Sequence, residues 1–338
     1  MITLGIETSC DETSCAVLEN GFRIRSNVIS SSLLRHRPFG GVVPEIASRH
    51  CLEQIDFVFR AALRKARVTR KDLDLISVTY GPGLAGSLLV GLSFAKALAY
   101  ELKIPFVGVN HLEAHLSANF IGRPVPEGPF IGLIVSGGHT ELTCHRKGSI
   151  EVLGSTVDDA VGECYDKVAK LLGFGYPGGP ILDRLAQKGN SKAFRFTRPK
   201  QSGRFDFSFS GIKTAVLHLV KENVGVRSPR PLHRRFLLNL SASFQETVVR
   251  WLVEKSIDAC RMKKAKDLVA GGGVSANSRL RALLTEEAAL YKINVHFPPL
   301  SLVLDNGAMI ARRGFEQFKQ GRRSGWNLSA RPGLRIGE

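Results

Sequence analysis

The residues with the plainest chemical capacity lie in the run His111-Leu112-Glu113-Ala114-His115. On a helix, positions four apart share a face, so both imidazoles can reach one metal ion. Zinc peptidase helices read H-E-x-x-H or H-x-x-E-H, with the glutamate positioned as a base beside the metal. Here Glu113 is the middle residue and is rotated away from the histidine pair, so the spacing disfavours a peptidase. Two imidazoles alone need a third ligand. Asp305, in Leu304-Asp305-Asn306-Gly307-Ala308-Met309-Ile310, is a candidate. A carboxylate just before an apolar helix either caps that helix or binds a metal, and the local sequence leaves both open.

Three glycine-rich turns follow runs that read as strands: Ser136-Gly137-Gly138-His139-Thr140, Tyr176-Pro177-Gly178-Gly179-Pro180 and Gly271-Gly272-Gly273-Val274-Ser275-Ala276-Asn277. Backbone without side chains lets amide N–H groups approach a phosphate or ribose closely. Any one turn is as readily a tight connection, but three in one chain favour a nucleotide. No G-x-x-x-x-G-K-[ST] occurs, which argues against a P-loop NTPase, and the two G-x-G-x-x-G matches, at 81–86 and 173–178, are read as a close helix approach and a tight turn and not as a dinucleotide-binding Rossmann fingerprint.

The elements that must carry these residues alternate between short apolar runs and longer helical periodicity, the pattern of an α/β fold with a largely buried sheet. Strands are expected at Ile2 to Thr8, Ala16 to Glu19, Leu75 to Tyr80, Phe106 to Val109, Phe130 to Val135, Glu141 to Cys144 and Leu268 to Ala270. Helices are expected at Pro44 to Lys65, Ser87 to Leu102, Asp158 to Leu172, Gly211 to Lys221, Leu232 to Ala259 and Asp305 to Lys319. Ile2 to Asn20 reads as strand, polar turn, strand. Phe130 to His145 repeats that plan around SGGHT, which suggests a duplication with a cleft between the copies. The expected division is a first lobe over 1–107, completed by about 305–322, a second lobe over 108–304, and a basic tail over 323–338.

The second lobe carries a compositional change at about 189–235, where Lys192, Arg195, Arg198, Lys200 and Arg204 interleave with Phe194, Phe196, Phe205, Phe207 and Phe209. Cations with intervening aromatics suit phosphate contact plus base stacking. The competing reading is that most of the phenylalanines anchor a long loop to the core. The tail from Gly321 is Arg-rich and is expected to be mobile.

Lys plus Arg number 47 against 30 Asp plus Glu, a formal charge of +17, and such a field attracts polyanions such as RNA or an acidic membrane surface. A compositional bias of the source genome is the plainer alternative. Six cysteines without a C-x-x-C pair signal neither a zinc ribbon nor a disulfide framework. The N-terminal MITLGIETSCDETS is acidic where a secretory signal is basic, and no run approaches the roughly 20 apolar residues of a membrane span. A cytoplasmic protein with reduced thiols is the expectation.

The ordered set GIETSCDETS, GGVVPEIASRH, GPGLAGSLLVG, NHLEAH, LIVSGGHTEL, DDAVGECYDKVAKLLG, YPGGP, FSFSGIKTAV, AGGGVSAN and DNGAMIA resembles the tRNA N6-adenosine threonylcarbamoyltransferase family, bacterial type, once described as O-sialoglycoprotein endopeptidases. The resemblance runs from about Ile2 to Ala311. It implies a duplicated, two-lobed actin-like ATPase fold around a nucleotide cleft. It also implies transfer of a threonylcarbamoyl group from threonylcarbamoyl-adenylate to N6 of the adenosine beside the anticodon, in tRNAs reading codons that begin with A. By the same resemblance, His111, His115 and Asp305 hold one divalent metal, Fe2+ or Zn2+. Ile134, Val135, Ser136, Gly137, Gly138, Asp166, Gly179, Asp183 and Asn277 contact the adenylate, and the turn with Asp11 and Glu12 faces the reacting end. A shortened paralogue and a separate ATPase are the implied partners, beside tRNA. Cys164 and Tyr165 depart from the Ala and Phe usual in relatives, and the tail follows their ending only loosely. An actin-like ATPase or small-molecule kinase, and a non-catalytic assembly subunit, are the alternatives weighed.

Overall fold

A computed structural model describes residues 1–199, 201–224 and 232–338. Lys200, one of the interleaved cations, and residues 225–231 of the basic insertion lie outside the described residues. In chain order the strands are β1 Ile2–Glu7, β2 Glu12–Glu19, β3 Arg23–Ser31, β4 Leu75–Gly81, β5 Phe106–Asn110, β6 Phe130–Val135, β7 Thr140–Arg146, β8 Ser149–Ser155, β9 Asp267–Gly271 and β10 Asn294–His296. The helices are α1 Leu33–His36, α2 Pro44–Ala66, α3 Ala85–Leu102, α4 His111–Ser117, α5 Val161–Leu171, α6 Gly179–Ala186, α7 Ser210–Val224, α8 Arg234–Lys263, α9 Ser278–Leu290 and α10 Gly307–Lys319.

Two compact units result, one of Met1–Val125 with Pro298–Glu338 and one of Pro126–Phe297. In the first, the sheet order is β3-β2-β1-β4-β5. The first three strands form an antiparallel meander, and β4 and β5 run parallel to β1. In the second, the order is β8-β7-β6-β9-β10 with the same senses throughout. The first strand of each unit, β1 or β6, sits centrally in its sheet, so the duplication suggested by two hairpins extends to all five strands.

Alternation along the strands decides which face of the first sheet meets which helix. Leu4, Ile6, Val17 and Val78 share a core with Val58, Phe59, Leu92 and Ala95 of α2 and α3. Ala16, Leu18, Leu75 and Val109 face the other way, onto Ala308, Met309 and Ile310 of α10. That second contact is close. A Cβ on Gly307 would stand 2.6 Å from Ala16 N, and one on Gly5 would stand 2.0 Å from Gly307 O, so glycine at both positions lets the start of α10 sit on the strand backbones. Helix α3 has 18 residues and enough hydropathy to span a bilayer by length and composition. It is a core helix here, with Leu88, Leu92, Ala95, Leu98 and Ala99 buried.

The structure differs from the expected layout in four respects. The unit boundaries fall at 125/126 and 297/298 rather than at 107/108 and 304/305. The physical reason is that Asn110 completes the first sheet and Glu113 of α4 is ion-paired to Arg313 of α10, which ties 108–125 to the first unit. Residues 323–338 are docked rather than mobile: Arg331 N donates to Tyr80 O, Asn110 Nδ2 to Arg335 O and Gly337 N to Glu113 Oε1, with Leu334 and Ile336 buried. Helix α5 starts at Val161, because Asp158 is drawn off to accept from Phe209 N and two serine hydroxyls. Strands β3, β8 and β10 and helices α1, α4, α6 and α9 add to the expected set. All three strands lie at sheet edges, where polar, half-exposed residues give no buried alternation to read.

Part of the basic insertion resolves into paired cations and buried rings. Arg198 is ion-paired with Glu254, and Arg204 forks onto Asp258 at 2.8 and 2.9 Å. Phe205, Phe207 and Phe209 are buried, and Phe194 packs edge-on to Phe236 at 5.4 Å. The rings anchor the loop to α8 and are not available as a stacking surface.

Candidate active site

In the first unit, α4 begins directly where β5 ends. Asn110 caps it, its Oδ1 accepting from the amides of Leu112 and Glu113 at 2.9 and 3.4 Å. The cap starts the helix at His111, so His111 and His115 emerge one turn apart with ring centroids 4.6 Å from each other. Asp305 Oδ1 stands 3.5 Å from His111 Nε2 and 3.2 Å from His115 Nε2. One candidate ligand atom from each of the three residues falls within a 4.8 Å span.

The capping task at the start of α10 falls on the neighbour of Asp305. Asn306 Oδ1 accepts from Met309 N at 3.0 Å at the start of α10. Of the two roles the local sequence left open for Asp305, the cap is therefore taken by Asn306. Glu113 points to Arg313, with Oε2 2.5 Å from Nη2, away from the histidines as the spacing requires.

Glu7, at the end of β1 and within GIETSCDETS, completes the surroundings, although that motif gives no sign of its role. Its Oε2 lies 3.0 Å from His111 Nδ1 and accepts from Thr79 Oγ1 at 2.6 Å, while Oε1 accepts from Ser9 N at 2.5 Å. Ser9 Oγ stands 3.2 Å from the same imidazole nitrogen. A buried carboxylate on Nδ1 holds the proton there and turns Nε2 toward Asp305, as carboxylate partners do for metal-ligating histidines. Burial pushes the His111 pKa down, but Asp305 and Glu7 outweigh it and raise it to about 9. The same negative field would draw in a divalent cation. Among the described residues neither ring nitrogen of His115 has a hydrogen-bond partner although the residue is 1% exposed. Buried polar atoms are rarely left so, and an orphaned imidazole facing a carboxylate fits a metal ligand.

Beside this group, burial and the charges of Asp305 and Asp11 push the Glu12 carboxyl well above the ordinary range, and Ser31 Oγ donates to it at 3.1 Å. Burial, with Asp11 next, likewise holds the Cys10 thiol protonated.

In the second unit, Ile134 and Val135 end β6 and Ser136-Gly137-Gly138 turn into β7. Ser136 N donates to His139 O at 2.9 Å, and His139 N to Ser136 Oγ at 3.0 Å, which fixes the turn. Among the described residues the Gly137 and Gly138 amides have no protein acceptor, and a Cβ on either would meet nothing within 4 Å. Gly162 at the start of α5 packs on this turn, where a Cβ would stand 2.6 Å from Ser136 O. Gly272 holds φ +90 beside Val135, a conformation that requires glycine.

Asp166 of α5 accepts from Gly178 N at 2.7 Å and so holds the turn that opens α6 at Gly179. Asp183, one turn on, accepts from Ser278 Oγ at 2.8 Å and from Gln245 Nε2 at 2.9 Å. Asn277 caps α9 through Oδ1, and its Nδ2 donates to Gln245 Oε1 at 2.8 Å. Buried Gln245 of α8 therefore joins Asp183 to Asn277 and had no signal in the sequence, lying mid-helix between Phe244 and Glu246. Tyr165, a departure from relatives, is accommodated because its hydroxyl reaches the same Gln245 oxygen at 3.5 Å.

The second unit thus gathers the nine candidate adenylate residues around three turns, and the first gathers the three candidate metal ligands. Solved structures with this arrangement of elements include full-length HypF in its phosphate- and nucleotide-bound form. It superposes with a TM-score of 0.61 at 14% identity, over 97% of this chain and 47% of that one. The (R)-2-hydroxyglutaryl-CoA dehydratase component A of Acidaminococcus fermentans gives 0.54 at 15% identity, over 95% and 98%. The fold is accordingly the duplicated actin-like ATPase fold.

Sequence comparison is more specific. A tRNA N6-adenosine threonylcarbamoyltransferase of Clostridioides difficile (strain 630) is 48% identical, with 100% of this chain and 99% of the relative covered. One of Thermosipho africanus is 48% identical over 99% and 100%. One of Thermotoga neapolitana is 47% identical over the same shares. With nearly half of all positions shared along the full length, and the family's own model matching residues 23–312, the chain belongs to the tRNA N6-adenosine threonylcarbamoyltransferase family.

Proposed function

We propose that this protein transfers the threonylcarbamoyl group of threonylcarbamoyl-adenylate to N6 of the adenosine beside the anticodon, in tRNAs reading codons that begin with A. The observation that carries the reading is the convergence of His111, His115 and Asp305, with neither His115 nitrogen hydrogen-bonded among the described residues. In this reading His111, His115 and Asp305 hold one divalent ion, Fe2+ or Zn2+, since imidazole and carboxylate suit either. When bound there, such an ion supplies Lewis-acid stabilisation of negative charge on an oxygen of the donor.

The chain's own groups do the remaining work. Glu7 keeps the His111 Nδ1 proton and so fixes which nitrogen faces Asp305. The open amides of Gly137 and Gly138 suit a phosphate or ribose oxygen. Asp166, Gly179, Asp183 and Asn277 line the turns proposed to hold the adenosine, with Gln245 keeping Asp183 and Asn277 in register. The mixed anhydride is already activated. Catalysis then rests on aligning a weakly nucleophilic aromatic amine and stabilising the developing oxyanion. Burial and the charges of Asp305 and Asp11 hold the Glu12 carboxyl above its ordinary range, and Asp11 and Glu12 are proposed to face the reacting end. An exposed anticodon loop suits the reaction because its bases unstack readily. A shortened paralogue and a separate ATPase are the proposed partners, and the cytoplasm the proposed site of action.

The test combines the metal-loaded protein, those partners, threonylcarbamoyl-adenylate and unmodified tRNA, with modified adenosine read by mass spectrometry. Formation of the modified base in wild type and its loss in His115→Ala is the expected result. Steady ATP turnover on a small acceptor with no tRNA product would instead make the chain a kinase-like relative.

A further inference from the structure

We infer that the second unit carries the RNA-docking surface of this protein: a carboxylate-free strip formed by Lys188, Lys192 and Arg195 together with Arg234 and Arg235, shaped for a phosphate backbone. The inference rests on the tRNA reading above and adds where on the chain the polyanion is held.

Two stretches far apart in sequence build the strip. Residues 184–198 contain no Asp or Glu, and neither do residues 232–245. The first stretch lies along the opening turns of α8. Asn190 N donates to Asn239 Oδ1 at 2.9 Å and Phe194 N to Ser243 Oγ at 3.1 Å. A Cβ on Gly189 would stand 2.0 Å from Leu238 O, and the Phe194 ring meets Phe236. Lys188 precedes Gly189, Arg195 follows Phe194 and Arg235 precedes Phe236, so these packing contacts draw cations of both stretches into one neighbourhood.

Ion pairing separates this strip from the rest of the insertion. Arg198 and Arg204, further along, are neutralised by Glu254 and Asp258, and Lys213 by Asp159. Among the described residues none of Lys188, Lys192, Arg195, Arg234 and Arg235 has an ion-pair partner, and all five are exposed. Five unneutralised cations without an intervening carboxylate repel one another. A polyanion relieves that repulsion and gains from counterion release. The neighbouring phenylalanines are committed to packing, so the strip reads phosphates and not bases. It also starts five residues beyond Asp183, roughly 8 Å of helical rise, which sets bound RNA near the proposed adenylate contacts.

The experiment measures equilibrium binding of unmodified tRNA to the full chain at several salt concentrations. The variants are the double reversals Lys192→Glu/Arg195→Glu and Arg234→Glu/Arg235→Glu, with Arg64→Glu/Lys65→Glu on α2 as an equal-charge control. Circular dichroism and melting verify folding. Each strip variant is expected to weaken binding at least tenfold and to reduce the slope of log K against log salt by about one for every phosphate no longer held, while the control changes affinity less than threefold. Altering the anticodon-loop sequence should not change the strip's contribution. Equal losses in strip and control variants, or no RNA binding by wild type at low salt, would overturn the inference. So would anionic vesicle binding that follows the strip reversals while tRNA binding does not. The transfer assay above then tells whether the family reaction survives without this surface, because it reads product at saturating RNA.

Discussion

At the residue scale, the proposed metal ligands depend on a carboxylate outside their own set. Glu7 lies 104 positions from His111 in sequence, yet meets its Nδ1 at 3.0 Å. Glu7→Gln keeps the shape but removes the charge that holds the Nδ1 proton. We expect metal affinity to fall about 10- to 100-fold with little change in melting temperature, measured by competition with a chelator. An unchanged dissociation constant would show that His111 needs no such partner. Gln245 plays the corresponding part in the second unit. Gln245→Leu fills similar space and leaves Asp183 and Asn277 without their shared partner. The donor adenylate should bind about tenfold more weakly while kcat at saturation changes less than threefold, since the substitution disturbs binding and not the reacting end. A loss confined to kcat would contradict the role. The histidine spacing and the aspartate before α10 were legible in the sequence because helical periodicity is local. Glu7 and Gln245 were not, because their roles arise only when strand β1 meets α4 and α8 meets α9.

At the element scale, the loop leading into α7 is held by two adjacent aspartates. Asp158 accepts from Ser208 Oγ, Ser210 Oγ and Phe209 N, and Asp159 pairs with Lys167 and Lys213. Burial pushes both pKa values up, but the hydrogen bonds to Ser208 and Ser210 at one, and to Lys167 and Lys213 at the other, outweigh it and leave both lowered. A carboxylate with a lowered folded-state value contributes stability that is present above its unfolded value, near pH 4, and is lost as pH falls through the folded value. Asp158→Asn should therefore destabilise the protein at pH 7 by on the order of 1 kcal/mol after discounting for solvent screening. At pH 3 variant and wild type should approach each other. Chemical denaturation at the two pH values reads this directly, and a gap of equal size at both would remove charge from the account. These aspartates read in the sequence as the start of a helix. Only the tertiary course of Phe207 to Ser210 shows why the helix begins three residues later.

At the scale of the whole molecule, the repeated strand order means that each unit owns a sheet and a core. The second unit is one continuous stretch, Pro126–Phe297, and its core unites β6 and β7 with α5, α7, α8 and α9. The first unit is assembled from both ends of the chain, and its metal group needs both, since α4 and Asp305 lie on opposite sides of the insertion point in sequence. The early hairpins made the duplication readable, and the boundaries are marked by the Pro- and Gly-rich run at 122–129 and by Pro298-Pro299, but the contacts that tie 108–125 to the first sheet are tertiary and left no local sign. A polypeptide of residues 126–297 alone should unfold in one cooperative transition with an enthalpy of roughly 120 kcal/mol near 60 °C, at about 0.7 kcal/mol per residue. It should bind no stoichiometric metal while retaining salt-dependent affinity for RNA. Calorimetry and metal analysis of the isolated segment test both halves of this division. A broad, non-cooperative melt would mean the second core cannot form without the first, and bound metal would mean that ligands outside His111, His115 and Asp305 suffice.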